Sequence, residues 1–148
     1  MSESTRVEDS PVGWVHDHIK RYVESGGEDG YTWRGATTLL LTTVGRKSGV
    51  PRRTALIYQP DGDNYVVVAS RGGAPTHPAW YLNLTANPEV TVQVKDDTFA
   101  ARARTASAEE RPRLWKLMAE IWPAYDDYQK KTDREIPVVV LEPVRTGA

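Results

Sequence analysis

Thr37-Thr38-Leu39-Leu40-Leu41-Thr42-Thr43-Val44, then Gly45-Arg46-Lys47-Ser48-Gly49-Val50-Pro51-Arg52-Arg53, then Thr54-Ala55-Leu56-Ile57-Tyr58-Gln59 is the stretch on which the fold turns. The first run is β-branched and leucine-rich, which predicts a mostly buried strand, and the last reads as a second strand. The segment between them, 45–53, reads as their connecting loop. It carries four cations and no acid, and two glycines enclose Arg-Lys-Ser. Glycine lets a backbone approach a ligand closely, and Arg and Lys supply charge-assisted donors suited to phosphate or carboxylate. The same composition also describes a solvated basic turn.

Outward from this stretch the strand signals continue. Pro60-Asp61-Gly62-Asp63 is a turn, and 64–70 a third strand. Val90, Val92 and Val94 alternate with polar residues, Asp96-Asp97 turns the chain, and Phe99, Ala101 and Ala103 predict a hairpin partner. A last buried strand runs over 136–140. Helical spacing appears at Val12, Val15, Ile19, Tyr22 and Val23, predicting a helix over 12–25 ended by Ser25-Gly26-Gly27. A short helix is expected over 79–86, after Pro78 and before Asn87-Pro88. Leu114, Leu117, Met118 and Ile121 make another stripe, preceded by a Ser107 to Glu110 capping-box pattern and interrupted by Pro123. Residues 1–10 are polar and read as disordered, and Gly30–Gly35 as a loop or entry segment. About six short strands, mostly antiparallel, with peripheral helices predict an α+β barrel or sheet in one domain over 1–148.

Composition narrows the function classes. The net charge of −1 gives no global basic field for nucleic acid. Charge is segregated, however: residues 1–30 hold seven acids against three cations, and 45–54 hold four cations alone. The basic patch is the size of a ligand site. Without cysteine there are no disulfides, thiolate catalysis or Cys-based zinc sites. His16 and His18 stand two apart, off one helical face, so no metal site is expected. There is no apolar leader and no run near the ~18 apolar residues of a membrane span, so a cytoplasmic protein without membrane insertion is the expectation. No Gly-x-Gly-x-x-Gly or Walker pattern occurs.

Five tryptophans and seven tyrosines accompany one phenylalanine. Such side chains suit a stacking, hydrogen-bonding pocket and equally an amphipathic core. Ser70-Arg71-Gly72-Gly73, followed by Trp80 and Asn83, combines a hydroxyl, a cation and glycines ahead of a helix N-terminus able to receive an anion or polar ring edge. A plain strand–helix connection is its other reading. Trp122, Tyr125 and Tyr128, spaced by three, share one slanting stripe of a helix. Their tyrosines either present neutral phenols to a carbonyl or oxyanion, or seal the helix to the barrel. With no Ser-His-Asp pattern and no metal cluster, an enzyme built this way needs a cofactor for the hard step.

Taken in order, Gly45-Arg46-Lys47-Ser48-Gly49 with Arg53, Ser70-Arg71-Gly72-Gly73-Ala74-Pro75, Pro78-Ala79-Trp80-Tyr81-Leu82-Asn83-Leu84 and Tyr125-Asp126-Asp127-Tyr128-Gln129 through Thr132, Arg134 and Ile136-Pro137-Val138 resemble the deazaflavin (coenzyme F420)-dependent nitroreductase and quinone reductase family. The resemblance covers about residues 35–142. It implies a split β-barrel like those of FMN-binding oxidoreductases, with F420 as hydride carrier. On that resemblance Arg46, Lys47, Ser48, Arg53 and the adjoining Thr54 would hold the cofactor's phosphate and acidic tail. Ser70, Arg71, Gly73, Ala79, Trp80 and Asn83 would line its ring and ribityl region. Tyr125 and Tyr128 would face the substrate, Tyr125 polarising the acceptor, with Trp122 where some members have a third tyrosine. The implied acceptor is a small quinone or conjugated carbonyl compound, with promiscuous nitro reduction. Barrels of this type are often homodimers. The acidic N-terminal thirty residues depart from the apolar or basic leaders of membrane-associated members. Alternatives are an FMN-dependent barrel and a non-catalytic protein that binds the cofactor or a lipid.

Overall fold

In a computed structural model, residues 8–9, 13–33 and 35–144 are described. The strands are β1 (Glu8–Asp9), β2 (Thr32–Trp33), β3 (Ala36–Val44), β4 (Pro51–Ile57), β5 (Gln59–Asp61), β6 (Asn64–Val68), β7 (Glu89–Val94), β8 (Asp97–Thr105) and β9 (Val138–Pro143). The helices are α1 (Gly13–Glu24), α2 (Ala79–Ala86), α3 (Arg111–Ile121) and α4 (Ala124–Lys130), with a 3₁₀ turn at Arg71–Gly73. One curled sheet runs β1-β4-β3-β7-β8-β9-β6-β5, and β2 pairs with β3 off this path. Every pairing except β1 with β4 is antiparallel. This is the expected split-barrel architecture, with β4 reaching β6 across the curl.

Period-two alternation sorts the strands' side chains into two layers. Leu39, Leu41, Val67, Val92, Ala101, Val139 and Leu141 fill the barrel interior. Val66, Val68, Val138 and Val140 face outward, under Leu114 and Met118 of α3 and Tyr125 of α4. On β3 the intervening Leu40 packs against Ile19 and Tyr22 of α1. Both faces of β3 are therefore covered, which is why its apolar run is continuous rather than alternating. The reciprocal capping box forms: Ser107 N–H donates to Glu110 at 2.9 Å and Glu110 N–H to Ser107 Oγ at 3.2 Å. Glu110 also takes Arg104 at 2.6 Å, and that guanidinium, with the Ser107 amide, holds its carboxyl down at about 2.

Four expectations need correction. Glu8 and Asp9 were expected in a disordered segment but form β1, whose register sets them beside Arg52 and Arg53. The remainder of 1–10, and Val12, lie outside the described residues. Pro51 begins β4, so Arg52, Arg53 and Thr54 belong to a strand and the basic loop shortens to 45–50. Proline is tolerated at a strand's first residue, so it marks the start of β4 rather than a break. The segment over 30–35 contains the two-residue β2, and Tyr58 divides the second expected strand into β4 and β5.

Tyr22 pins α1 to the sheet. Its hydroxyl donates to Thr38 O at 3.0 Å and accepts from Lys95 N–H at 2.7 Å. Lys95 sits at φ 55°, a conformation that needs such an anchor. Tyr22→Phe leaves both backbone groups without this partner and is expected to cost about 1–3 kcal/mol in urea denaturation at unchanged slope.

Candidate functional site

The basic loop is a closed turn. Gly45 N–H donates to Val50 O at 2.9 Å, Gly49 N–H to Gly45 O at 2.8 Å, and Val50 N–H to Ser48 Oγ at 3.1 Å. Arg46, Lys47 and Ser48 are exposed on it. The Lys47 ammonium and the amides of Lys47 and Ser48 have no partner among the described residues. Arg53 and Thr54 follow on β4, half-buried, paired across to Thr42 and Leu41.

Asn83 fixes the loop's direction. It is buried on α2, and its Oδ1 accepts both the backbone N–H and Nη1 of Arg46 at 3.1 Å. Its Nδ2 donates to Thr43 Oγ1 at 3.2 Å. The amide is thereby occupied with protein groups, so it sets Arg46 in place and has little capacity left for a ligand. Ala79 is exposed at the N-terminus of the same helix. Trp80 is half-buried against the barrel core, edge-on to Tyr81 at 6.4 Å.

The second loop lies between β6 and α2. Ser70 is buried, yet its hydroxyl makes no hydrogen bond among the described residues. Arg71 takes φ 47°, and its guanidinium turns back onto Thr76 of its own loop. Gly73, at φ 83°, packs directly on α4: a Cβ there would stand 2.7 Å from Tyr128 O. That contact brings the loop against the tyrosine helix.

On α4, Tyr125 is 5% exposed and stands edge-on to Tyr128 at 6.1 Å. Burial, with a smaller contribution from Tyr128, pushes the Tyr125 phenol far up, so it stays protonated across the physiological range. Its hydroxyl has no partner among the described residues. Trp122 Nε1 donates to Tyr128 Oη at 3.4 Å. This leaves the Tyr128 hydroxyl proton free to act as a donor.

Two clusters thus form, Arg46 with Asn83 and Gly73 with Tyr128, and α2 with its preceding loop joins them. One end offers cations, amides and a hydroxyl; the other offers phenol hydroxyls beside aromatic rings. That donor set fits a flat polar ring carrying an anionic tail. Arg134 belongs to one of the sequence motifs but has no part in the site expected from sequence. It donates into the second loop at four acceptors, a role that only the three-dimensional arrangement reveals.

The fold is a split barrel, and the donors at the two clusters suit a ring cofactor bearing an acidic tail. Residues 14–143 match the family model described as F420H(2)-dependent quinone reductase, and the chain belongs to that family. It is 43% identical over 131 residues to an F420H(2)-dependent quinone reductase of Mycobacterium tuberculosis, covering 86% of this chain and 87% of the relative. A solved structure described as an F420-H2 dependent reductase (FDR-A) superposes with TM-score 0.67 at 45% identity, over 74% of this chain and 95% of that one. Another, described as a domain-swapped dimer, gives TM-score 0.70 at 43% identity over 90% of this chain and 100% of that one. Among the described residues no helix is long and apolar enough to cross a membrane.

Gly73→Ala tests the contact between loop and helix. Its methyl meets the Tyr128 carbonyl at 2.7 Å, whereas one at Gly62, φ 62°, meets nothing within 4 Å. Both variants carry the left-handed backbone cost of about 1–2 kcal/mol. Gly73→Ala should lose clearly more than Gly62→Ala in denaturant midpoint and should shift the Tyr125 and Tyr128 ring resonances.

Proposed function

We propose that this chain reduces a quinone with F420H2, passing a hydride from the reduced deazaflavin to the acceptor. Membership of the quinone reductase family is the observation that carries the reading. When bound, F420H2 supplies two electrons and a hydrogen nucleus together as hydride. The protein's residues bind, orient and supply hydrogen bonds.

Lys47, the Ser48 hydroxyl and the free amides of the 45–50 turn hold the phosphate and acidic tail, with Arg46 aimed by Asn83 and with Arg53 and Thr54 on the adjoining strand. Ser70, Arg71 and Gly73 would hold the ring, with Ala79 and Trp80 beside the ribityl chain. Tyr125 donates its hydroxyl hydrogen bond to the quinone carbonyl, stabilising the negative charge that builds on oxygen as hydride arrives. Its raised pKa keeps it a donor rather than an anion. Tyr128 or solvent returns the proton, so hydride plus one proton converts the quinone to hydroquinone. Trp122 replaces a phenol with an indole and so narrows the acceptor side toward planar molecules. Holding donor and acceptor close is worth several kcal/mol of the barrier.

A homodimer and a cytoplasmic location are parts of the same proposal. The first is supported by the domain-swapped dimer formed by a structural relative. The second is supported by the acidic, charged character of residues 1–30, which offers a bilayer little apolar surface. FMN use and cofactor storage without turnover are the competing outcomes of the test below.

Fluorescence titration with oxidised F420, beside FMN, tests the cofactor. Saturable binding of F420 alone is expected; binding of FMN alone overturns the reading. Lys47→Ala should raise the F420 dissociation constant about tenfold, a loss typical of one charge-assisted contact. Tyr125→Phe should lower kcat with quinone about 10²-fold while leaving F420 binding intact. A nitroaromatic arm of the same assay reads whether Trp122 permits that acceptor.

A further inference from the structure

Arg134 lies outside the helices and strands, between α4 and β9, yet it is bonded to most of the loop that precedes α2. Its Nε donates to Ala74 O at 2.8 Å, Nη2 to Ser70 O at 2.7 Å and Nη1 to Ala69 O at 3.3 Å. Nη1 also reaches His77 Nδ1 at 3.1 Å. Arginine has no acceptor atom, so His77 accepts there and carries its proton on Nε2. Burial and the neighbouring Arg134 both lower the His77 pKa, in keeping with a neutral ring. No carboxylate pairs with Arg134 among the described residues.

Its backbone is tied to the tyrosine helix. Gln129 Nε2 donates to Arg134 O at 2.8 Å. Gln129 Oε1 accepts from Ile136 N–H at 2.9 Å and from Arg111 Nη2 at 3.1 Å. Gln129 is four residues beyond Tyr125, on the same face of α4. One guanidinium therefore registers the Ser70–His77 loop against the helix that carries Tyr125 and Tyr128.

The grip has a directional consequence. In a planar trans peptide the N–H points opposite to the carbonyl. With Ala69 O and Ser70 O turned toward Arg134, the amides of Ser70 and Arg71 point away from it. Neither amide has a partner among the described residues. Ser70 is right-handed (φ −79°, ψ −38°) and Arg71 left-handed (φ 47°). Successive residues of that alternation set their amides as a concave pair that receives an anionic or carbonyl oxygen. A non-glycine residue at positive φ is unfavourable by about 1–2 kcal/mol, so the loop requires an external hold.

We infer that Arg134 is a positioning residue: it clamps the 69–77 loop so that the Ser70 and Arg71 amides face the cofactor groove in register with the α4 tyrosines. The assignment rests on the cofactor reading above only for the identity of what the amides meet.

Arg134→Ala and Arg134→Lys in the full chain test it by two readouts. Hydrogen–deuterium exchange without cofactor should quicken about tenfold or more in Arg134→Ala at the Gly73 and Ala74 amides, which donate to Ser70 O and Arg71 O, with β3, β7 and β8 unchanged, because a local opening is being released. The F420 dissociation constant should rise about tenfold, with partial recovery when guanidinium ion is added back to Arg134→Ala. Lysine keeps the charge without the fork, so Arg134→Lys should recover little. Unchanged exchange in the loop overturns the inference, as does exchange quickened evenly across the sheet in both variants, which would mark Arg134 as core support. If the wild-type chain fails to bind F420, the cofactor reading falls, while the exchange data still decide the role of Arg134.

Discussion

The two amide atoms of Asn83 join three parts of the chain that are far apart in sequence. Its oxygen takes Arg46 from backbone and side chain, and its nitrogen reaches Thr43 at the end of β3. Burying an amide is unfavourable unless its atoms are paired, and an unpaired one costs about 1–3 kcal/mol. The position of α2, the direction of the basic turn and the end of β3 are therefore coupled: moving any one leaves a buried polar group unsatisfied. The 3₁₀ turn at Arg71–Gly73, on the N-terminal side of α2, meets α4 through Gly73. Through α2 and the loop before it, this coupling links the cations of the basic turn to the phenols of α4.

At the phenol end, packing excludes water from Tyr125. A tyrosine in solvent titrates near pH 10. Tyr125, enclosed by the α3 and α4 cluster, is held protonated well beyond that. It is a donor whose state does not change with cellular pH. Tyr128 is placed differently, its oxygen engaged by the Trp122 indole. Two chemically identical side chains one helical turn apart are thus given distinct surroundings, in keeping with the different parts proposed for them.

Much of this was legible in the sequence. The boundaries of α2 follow from Pro78 and from Asn87-Pro88, and β7 and β8 follow from clean alternation about Asp96-Asp97. Ser107 and Glu110 gave the capping box, which forms in spite of Pro112 because proline is tolerated in a helix's first turn. The two-residue strands β1 and β2 were not legible, since so short a segment has no period to read and its pairing is set by the neighbour. Pro51 concealed the true start of β4. The charged and aromatic candidates for the site stand out in the sequence by type and spacing. Arg134 did not, because its importance lies in which carbonyls it meets across some sixty positions of chain, as with Ser70, 64 residues away. Asn83, expected beside the cofactor ring, is bonded through its amide to Arg46 and Thr43.

The central claim is that one groove holds F420H2 against a quinone, and single-turnover kinetics address it most directly. Protein loaded with F420H2 would be mixed with a simple quinone such as menadione, and the return of oxidised deazaflavin fluorescence followed in time. The account predicts an enzyme-dependent single exponential whose rate saturates with quinone concentration and falls about 10²-fold in Tyr125→Phe. Tight F420H2 binding with no oxidation faster than in free solution would contradict it, leaving a barrel that stores the cofactor.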